Sequence, residues 1–197
     1  MKKRKPNRLQ GYDYSTDNLY FVTSCAHNRI CCFGDIVRTG HVMVGTVVGT
    51  GRDPSLPPTF NQQMILNEYG TIAKKQWHWL GEQYPYVVLH EFVVMPNHIH
   101  GIIEINRSNV GPGRNVGTGR VMVGTGRDVP KIKSLSELMG AYKTTVSKQI
   151  HLIGFPEFKW QRSFYEHIIR DDKSFETISD YIMNNPIKWE QDNFYNL

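Results

Sequence analysis

The stretch Phe92-Val93-Val94-Met95-Pro96-Asn97-His98-Ile99-His100-Gly101-Ile102-Ile103-Glu104-Ile105 decides the reading of this chain, because it places two histidines around one apolar residue inside an otherwise hydrophobic run. Side chains on a strand alternate between faces, so His98 and His100 are expected to point the same way while Ile99 enters the opposite layer. Two imidazoles so placed can grip one cation. Buried together without a shared partner, each unsatisfied ring nitrogen would cost about 1–3 kcal/mol. The alternative is a pair of ordinary, partly exposed strand histidines.

Working outward, Val87 to Val94 reads as a strand that the Pro96-Asn97 turn joins to the histidine strand as a hairpin. Upstream, Leu19-Tyr20-Phe21-Val22-Thr23-Ser24-Cys25 is aromatic and β-branched and reads as a first strand. Between them, Gln62 to Glu82 places Ile65, Tyr69, Ile72, Ala73, Gln76 and Leu80 at helical spacing and is expected to be one amphipathic helix. Downstream, Ser134-Leu135-Ser136-Glu137 is a capping box that opens a helix running to about Ile153. Phe164 to Ile169 alternates as a fourth strand. Asp171 and Asp172 then cap a last helix with Phe175, Ile178 and Ile182 on its apolar side, which Pro186 ends.

The order strand, helix, strand, strand, helix, strand, helix predicts an α+β fold. Its form is a ferredoxin-like (RRM-like) antiparallel sheet with helices on one face and a C-terminal helix. An RNA-recognition module shares this order, but it carries stacking aromatics where the central strand here carries His-Ile-His.

Length and composition set the bounds. The chain has 197 residues, enough for one domain with a real core, and a net charge of +5. The basic run Lys2-Lys3-Arg4-Lys5 permits a polyanionic partner. Cys25, Cys31 and Cys32 are odd in number and lack zinc-type spacing, which argues against a disulfide framework and fits a reducing cytoplasm. No apolar run approaches the roughly 20 residues that cross a bilayer, so neither membrane nor export is expected.

Residues 42–60 and 109–130 contain the unit VGTGRD and fragments of it. They are expected to be repeat-rich loop insertions in a single domain spanning 1–197. Their Gly-x-Gly-Arg segments lack the strand-loop-helix context and the Lys-Ser/Thr ending of a phosphate-cradling loop.

The last helix contains Asp180-Tyr181-Ile182-Met183-Asn184-Asn185-Pro186, where Tyr181 and Asn185, four residues apart, share one helical face. In isolation Tyr181 reads as a half-buried packing residue. Taken together, MPNHIHGII, WQRSFYEHIIRDD, DYIMNNPIKW and the N-terminal Gly11-Tyr12-Asp13-Tyr14 followed by LYFVTS resemble the single-tyrosine His-hydrophobic-His (HUH) transposases of the insertion-sequence type, including the REP-associated tyrosine transposases. The resemblance covers nearly the whole chain outside the insertions.

This resemblance implies a metal-dependent single-stranded DNA endonuclease and strand transferase for DNA transposition, acting on hairpin-containing DNA through a 5′-phosphotyrosine intermediate. Tyr181 would be the nucleophile. His98, His100 and Asn185 would hold a divalent ion, Mg²⁺ or Mn²⁺, with Glu166 or His167 as substitutes for Asn185. A cytoplasmic, nucleoid-associated site of action is implied, as either a monomer or a homodimer. DNA contacts are expected from Lys3, Arg4, Lys5, Lys143, Arg162 and Arg170, with Tyr165 able to stack on bases. Core packing is the expected role of Trp160 and Phe164. A water-dependent metal phosphodiesterase and a noncatalytic RRM-like nucleic-acid-binding module are the competing readings.

Overall fold

A computed structural model describes residues 9, 11–41, 60–109 and 132–195. Its main sheet contains β1 (Asn18–Cys25), β4 (Val87–Val94), β5 (His98–Ile105) and β6 (Tyr165–Ile169) in the order β4-β5-β1-β6, every neighbouring pair antiparallel. The helices are α1 (Glu68–Gln83), α2 (Leu135–Leu152) and α3 (Asp172–Asn184). The β-α-β-β-α-β order expected from the sequence is present in this α+β fold.

The sheet has two differently used faces. Tyr20, Val22, Ile99, Ile103 and Ile168 point toward α1 and α2, where Trp77, Leu80, Leu138, Tyr142 and Val146 complete the larger core. The opposite face carries Phe21, Ile102 and Ile169, and Phe175, Ile178 and Ile182 of α3 pack there. The helices therefore lie on both faces rather than one. The apolar stripe of α3 needs a surface, and the side chains left over by the alternation of β1 and β5 supply it.

A second, two-stranded sheet pairs β2 (Gly34–His41) with β3 (Phe60–Leu66), an element absent from the sequence reading. The expected helix from Gln62 begins only at Glu68, after Asn67, whose side chain accepts from the Gly70 amide. Gln62 to Leu66 alternates between half-buried and exposed positions, the period of a strand. The capping box is as expected, with Ser134 accepting from the Glu137 amide and Glu137 accepting from the Ser134 amide. Asp171 caps α3 through Ser174. The basic run with Lys3, Arg4 and Lys5, and the repeat segments apart from their boundary residues Phe60 and Asn109, lie outside the described residues. No described helix is long and apolar enough to cross a membrane.

Gly101 is where the larger core closes on β5. A Cβ built there would collide with Cζ2 of Trp77, whose ring stacks on Phe92 at 4.4 Å between centroids. Gly101→Ala is therefore expected to destabilise the fold by about 1–3 kcal/mol through overpacking. Chemical denaturation would show the midpoint unchanged if Trp77 moves aside without cost.

Candidate metal centre

β5 delivers His98 and His100 to the α3 face as the alternation requires, and both are buried. Their Nε2 atoms lie 2.9 Å apart. The outer nitrogens are each held: His98 Nδ1 lies 2.7 Å from Asn97 Oδ1, and His100 Nδ1 lies 2.7 Å from the Thr23 hydroxyl. Phe21 stacks on the His100 ring at 5.5 Å between centroids, and Phe194 covers His98 at 4.6 Å.

The first of these contacts fixes a tautomer. Fully buried Asn97 donates through Nδ2 to the carbonyls of Arg29 at 3.2 Å and Phe194 at 2.8 Å, so its amide is oriented and its Oδ1 can only accept. His98 must then carry its proton on Nδ1, which leaves the Nε2 lone pair directed at His100. The Thr23 hydroxyl can rotate to serve either tautomer of His100. When Thr23 accepts, the two Nε2 lone pairs face one another, an arrangement that favours a cation between them.

Burial, more than the neighbouring Arg29 guanidinium, pushes the His98 pKa down to about 3. His100 falls well below its ordinary value for the same reason, with His98 adding to the shift and Asp192 opposing it. Both rings are thus neutral ligands in the neutral pH range.

Asp192, immediately after the 3-10 segment Pro186–Gln191, brings a carboxylate oxygen within 4.8 Å of ligand nitrogens on both histidines. Neutral imidazole nitrogens plus a carboxylate suit a divalent first-row metal and, with waters, Mg²⁺. Asn185 is buried beside them. Its Nδ2 donates to Asp192 at 2.9 Å, and its buried Oδ1 has no hydrogen-bond partner among the described residues. That orphaned oxygen fits a group arriving from outside the protein.

Tyr181 sits over the pair. Its hydroxyl is 3.2 Å from His100 Nε2, its ring lies edge-on to Phe21, and 42% of the residue is exposed. Burial of the phenol, helped by the Asp192 charge and opposed by Asn185, pushes its pKa up to about 12.

The other candidates fall elsewhere. Glu166 pairs with Val22 and so faces the α1 and α2 side, which removes it as a ligand. His167 is on the metal-facing side of β6, but β1 separates that strand from β5, and His167 pairs with Phe21. Arg170 lies beyond the far end of β6, where Ile169 pairs with Leu19, away from the histidines. The Lys143 ammonium donates to the carbonyls of Gln161 and Arg162. Arg162 and Tyr165 are exposed, while Trp160 is buried and Phe164 packs against the larger core, as expected. Sequence reading missed Asp192, Asn97 and Thr23. Only Asn97 carried a signal, its place in the turn before His98.

Fold and site together describe an α+β protein with two buried histidines and a half-buried aspartate clustered under an accessible tyrosine, a candidate metal centre. The chain is 35% identical to an uncharacterised protein of Haemophilus influenzae over 196 residues, which cover 98% of this chain and 93% of that one, and it belongs to the same family. Over 29 residues, 15% of this chain and 16% of the other, it is 59% identical to a provisionally named REP-associated tyrosine transposase of the same organism. No family model matches the chain. Solved structures similar to it include a REP-associated tyrosine transposase bound to a REP hairpin, at 16% identity and a TM-score of 0.49 over 92% of this chain and 73% of that one. Another is a provisionally named transposase of Deinococcus radiodurans, at 14% identity and a TM-score of 0.36 over 90% and 95%.

Asn97→Ala is expected to lower affinity for Mn²⁺ by about 10- to 100-fold, the usual cost of losing a partner that orients a metal ligand. Titration calorimetry measures this, and ¹⁵N spectra of the metal-free variant should show His98 losing its preference for the Nδ1–H form. Equal affinity with an unchanged tautomer would refute the role.

His98 also sets an acid response. The unfolded chain takes up a proton at this ring near 6.5 and the folded chain only near about 3, so the unfolded state holds more protons between these values. This stabilisation is complete above pH 6.5 and is lost as the pH falls toward about 3. Urea midpoints taken from neutral pH down to about pH 4.5 should fall less steeply for His98→Gln than for the parent.

Proposed function

We propose that this protein is a metal-dependent single-stranded DNA endonuclease and strand transferase of the HUH type, with Tyr181 as nucleophile. One observation carries the reading: the buried, converging Nε2 atoms of His98 and His100 lie 3.2 Å, at His100, from a tyrosine hydroxyl contributed by the same chain. The 29-residue match to a protein named as a REP-associated tyrosine transposase supports DNA transposition as the process served, and hairpin-containing DNA is the proposed substrate.

His98, His100 and Asp192 would hold a divalent ion, Mg²⁺ or Mn²⁺, with Asn185 Oδ1 as a further ligand. Bound there, the ion supplies Lewis-acid charge for a phosphate oxygen. Tyr181 Oη attacks phosphorus, the bond to the 3′-oxygen breaks, and the product is a 5′-phosphotyrosine with a free 3′-hydroxyl. One Asp192 oxygen would ligate the ion while the other, on a carboxylate that hydrogen-bonds the phenol, would accept the tyrosine proton, and solvent protonates the leaving oxygen. A phenol with its pKa raised to about 12 is a weak nucleophile until such a base and positive charge act on it. One phosphodiester replaces another, so the step is reversible and rejoining needs no external energy source.

Thr23 and Asn97 hold the imidazoles, while Phe21, Trp189 and Phe194 exclude water from them. A noncatalytic RRM-like module is the weaker reading, because α3 packs on the sheet face that such a module leaves open for stacked bases.

Incubation with Mn²⁺ and labelled hairpin oligonucleotides should yield a denaturant-resistant adduct that peptide mass spectrometry assigns to Tyr181. Tyr181→Phe and chelator should each abolish it, and Asp192→Asn should slow its formation by about 10²- to 10⁴-fold. Cleavage that survives Tyr181→Phe without an adduct would replace this reading with a water-dependent phosphodiesterase.

A further inference from the structure

A groove of about 710 Å³ lies between the C-terminal half of α2 and the Phe158–Arg162 segment. Phe158 and Trp160 contribute its apolar floor, and no carboxylate lines it. Lys143 fixes the floor through the carbonyls of Gln161 and Arg162, and His151 Nε2 bonds the Phe158 carbonyl at 2.8 Å. These groups are committed to structure. Lys148 on one wall and Lys159 and Arg162 on the other are exposed and form no ion pair among the described residues. The hydroxyls of Thr144 and Ser147 add donors beside them. Three cations with neighbouring donors suit an acceptor-only polyanion such as a phosphodiester backbone.

The groove is stitched to the candidate metal centre. Trp160 bridges to Ala26, and the Gln161 amide donates to the Cys25 carbonyl at 2.9 Å, while Cys25 pairs with His98 across β1 and β5. The groove opens on the α2 side of the sheet and the histidines on the α3 side, so a strand joining them passes round the sheet edge, where two strand spacings of about 4.8 Å, or about three nucleotides at about 3.4 Å each, are the least that separates the Gln161 backbone from His98. At that edge stands Tyr165, 49% exposed on the outermost strand, paired with Thr23 and edge-on to Phe21. An exposed aromatic ring between a phosphate-binding site and a cationic groove is the arrangement that tracks a single strand.

We propose that this groove binds the backbone of the single-stranded DNA running away from the metal centre, with Tyr165 stacking on a base between the two. The proposal rests on the nucleic-acid reading above. It adds a second contact region, distinct from the centre that would cut.

The test compares the full chain, without metal, on a hairpin with a short single-stranded extension of about three nucleotides and on one extended to about eight. Fluorescence anisotropy should show tighter binding to the longer oligonucleotide. The triple variant Lys148→Ala/Lys159→Ala/Arg162→Ala should bring the ratio of the two affinities close to one. It should also flatten the dependence of log affinity on log salt by about 2, near 0.7 for each phosphate that is no longer neutralised. Tyr165→Ala should lower affinity for the longer oligonucleotide at least about fivefold without changing that slope. A charge-preserving Lys148→Arg/Lys159→Arg/Arg162→Lys variant should keep the preference, which separates the effect of charge from damaged folding.

A triple variant that keeps both the length preference and the salt slope would overturn the proposal, as would equal competition by polyglutamate of matched charge, which would make the groove an acidic-peptide site. Parent protein that binds neither oligonucleotide but still binds Mn²⁺ would sink the nucleic-acid reading itself.

Discussion

Side-chain alternation along β5 is the constraint on which the rest of the molecule depends. Ile99, Gly101, Ile103 and Ile105 face the larger core, and His98, His100 and Ile102 face the other way. A one-residue slip against β1 would drive imidazoles into the Trp77 layer and expose the isoleucines. The apolar core therefore sets the register, and the register sets the direction in which the histidines point. Gly101 tightens this by admitting the Trp77 ring where any side chain would block it.

The second face is assembled from parts distant in the chain. α3 docks through Phe175, Ile178 and Ile182, carrying Tyr181 to the histidines, and the segment after Pro186 folds back so that Trp189 and Phe194 cover His98. Desolvation on this scale disfavours charge on the rings while leaving their lone pairs directed inward. Asn97 joins the two parts, because one amide orients a histidine through its oxygen and donates through its nitrogen to the Phe194 carbonyl, where the chain returns.

Much of this was legible in the sequence because periodicity and capping are local. The histidine hairpin, the Ser134 cap and the apolar face of α3 each follow from residues within two or three turns of one another. The β2–β3 pair was not legible, because Gln62 to Leu66 runs directly into α1 and its residues Ile65 and Tyr69 mimic a helical spacing. Asp192 lies beyond a proline stop in a segment without periodicity, so only tertiary folding brings it to the histidines. Glu166 stood as a substitute for Asn185 because strand alternation could not be phased across β1 and β6 until their register was seen.

Tyr181 and His100 stand 81 residues apart, with Asp192 later still. A chain emerging from the ribosome thus presents its histidine strand long before the tyrosine or the carboxylate exists, and α2 and β6 must be made in between. Whatever chemistry the assembled site performs is withheld from the nascent chain by the order of synthesis, with no separate inhibitor required.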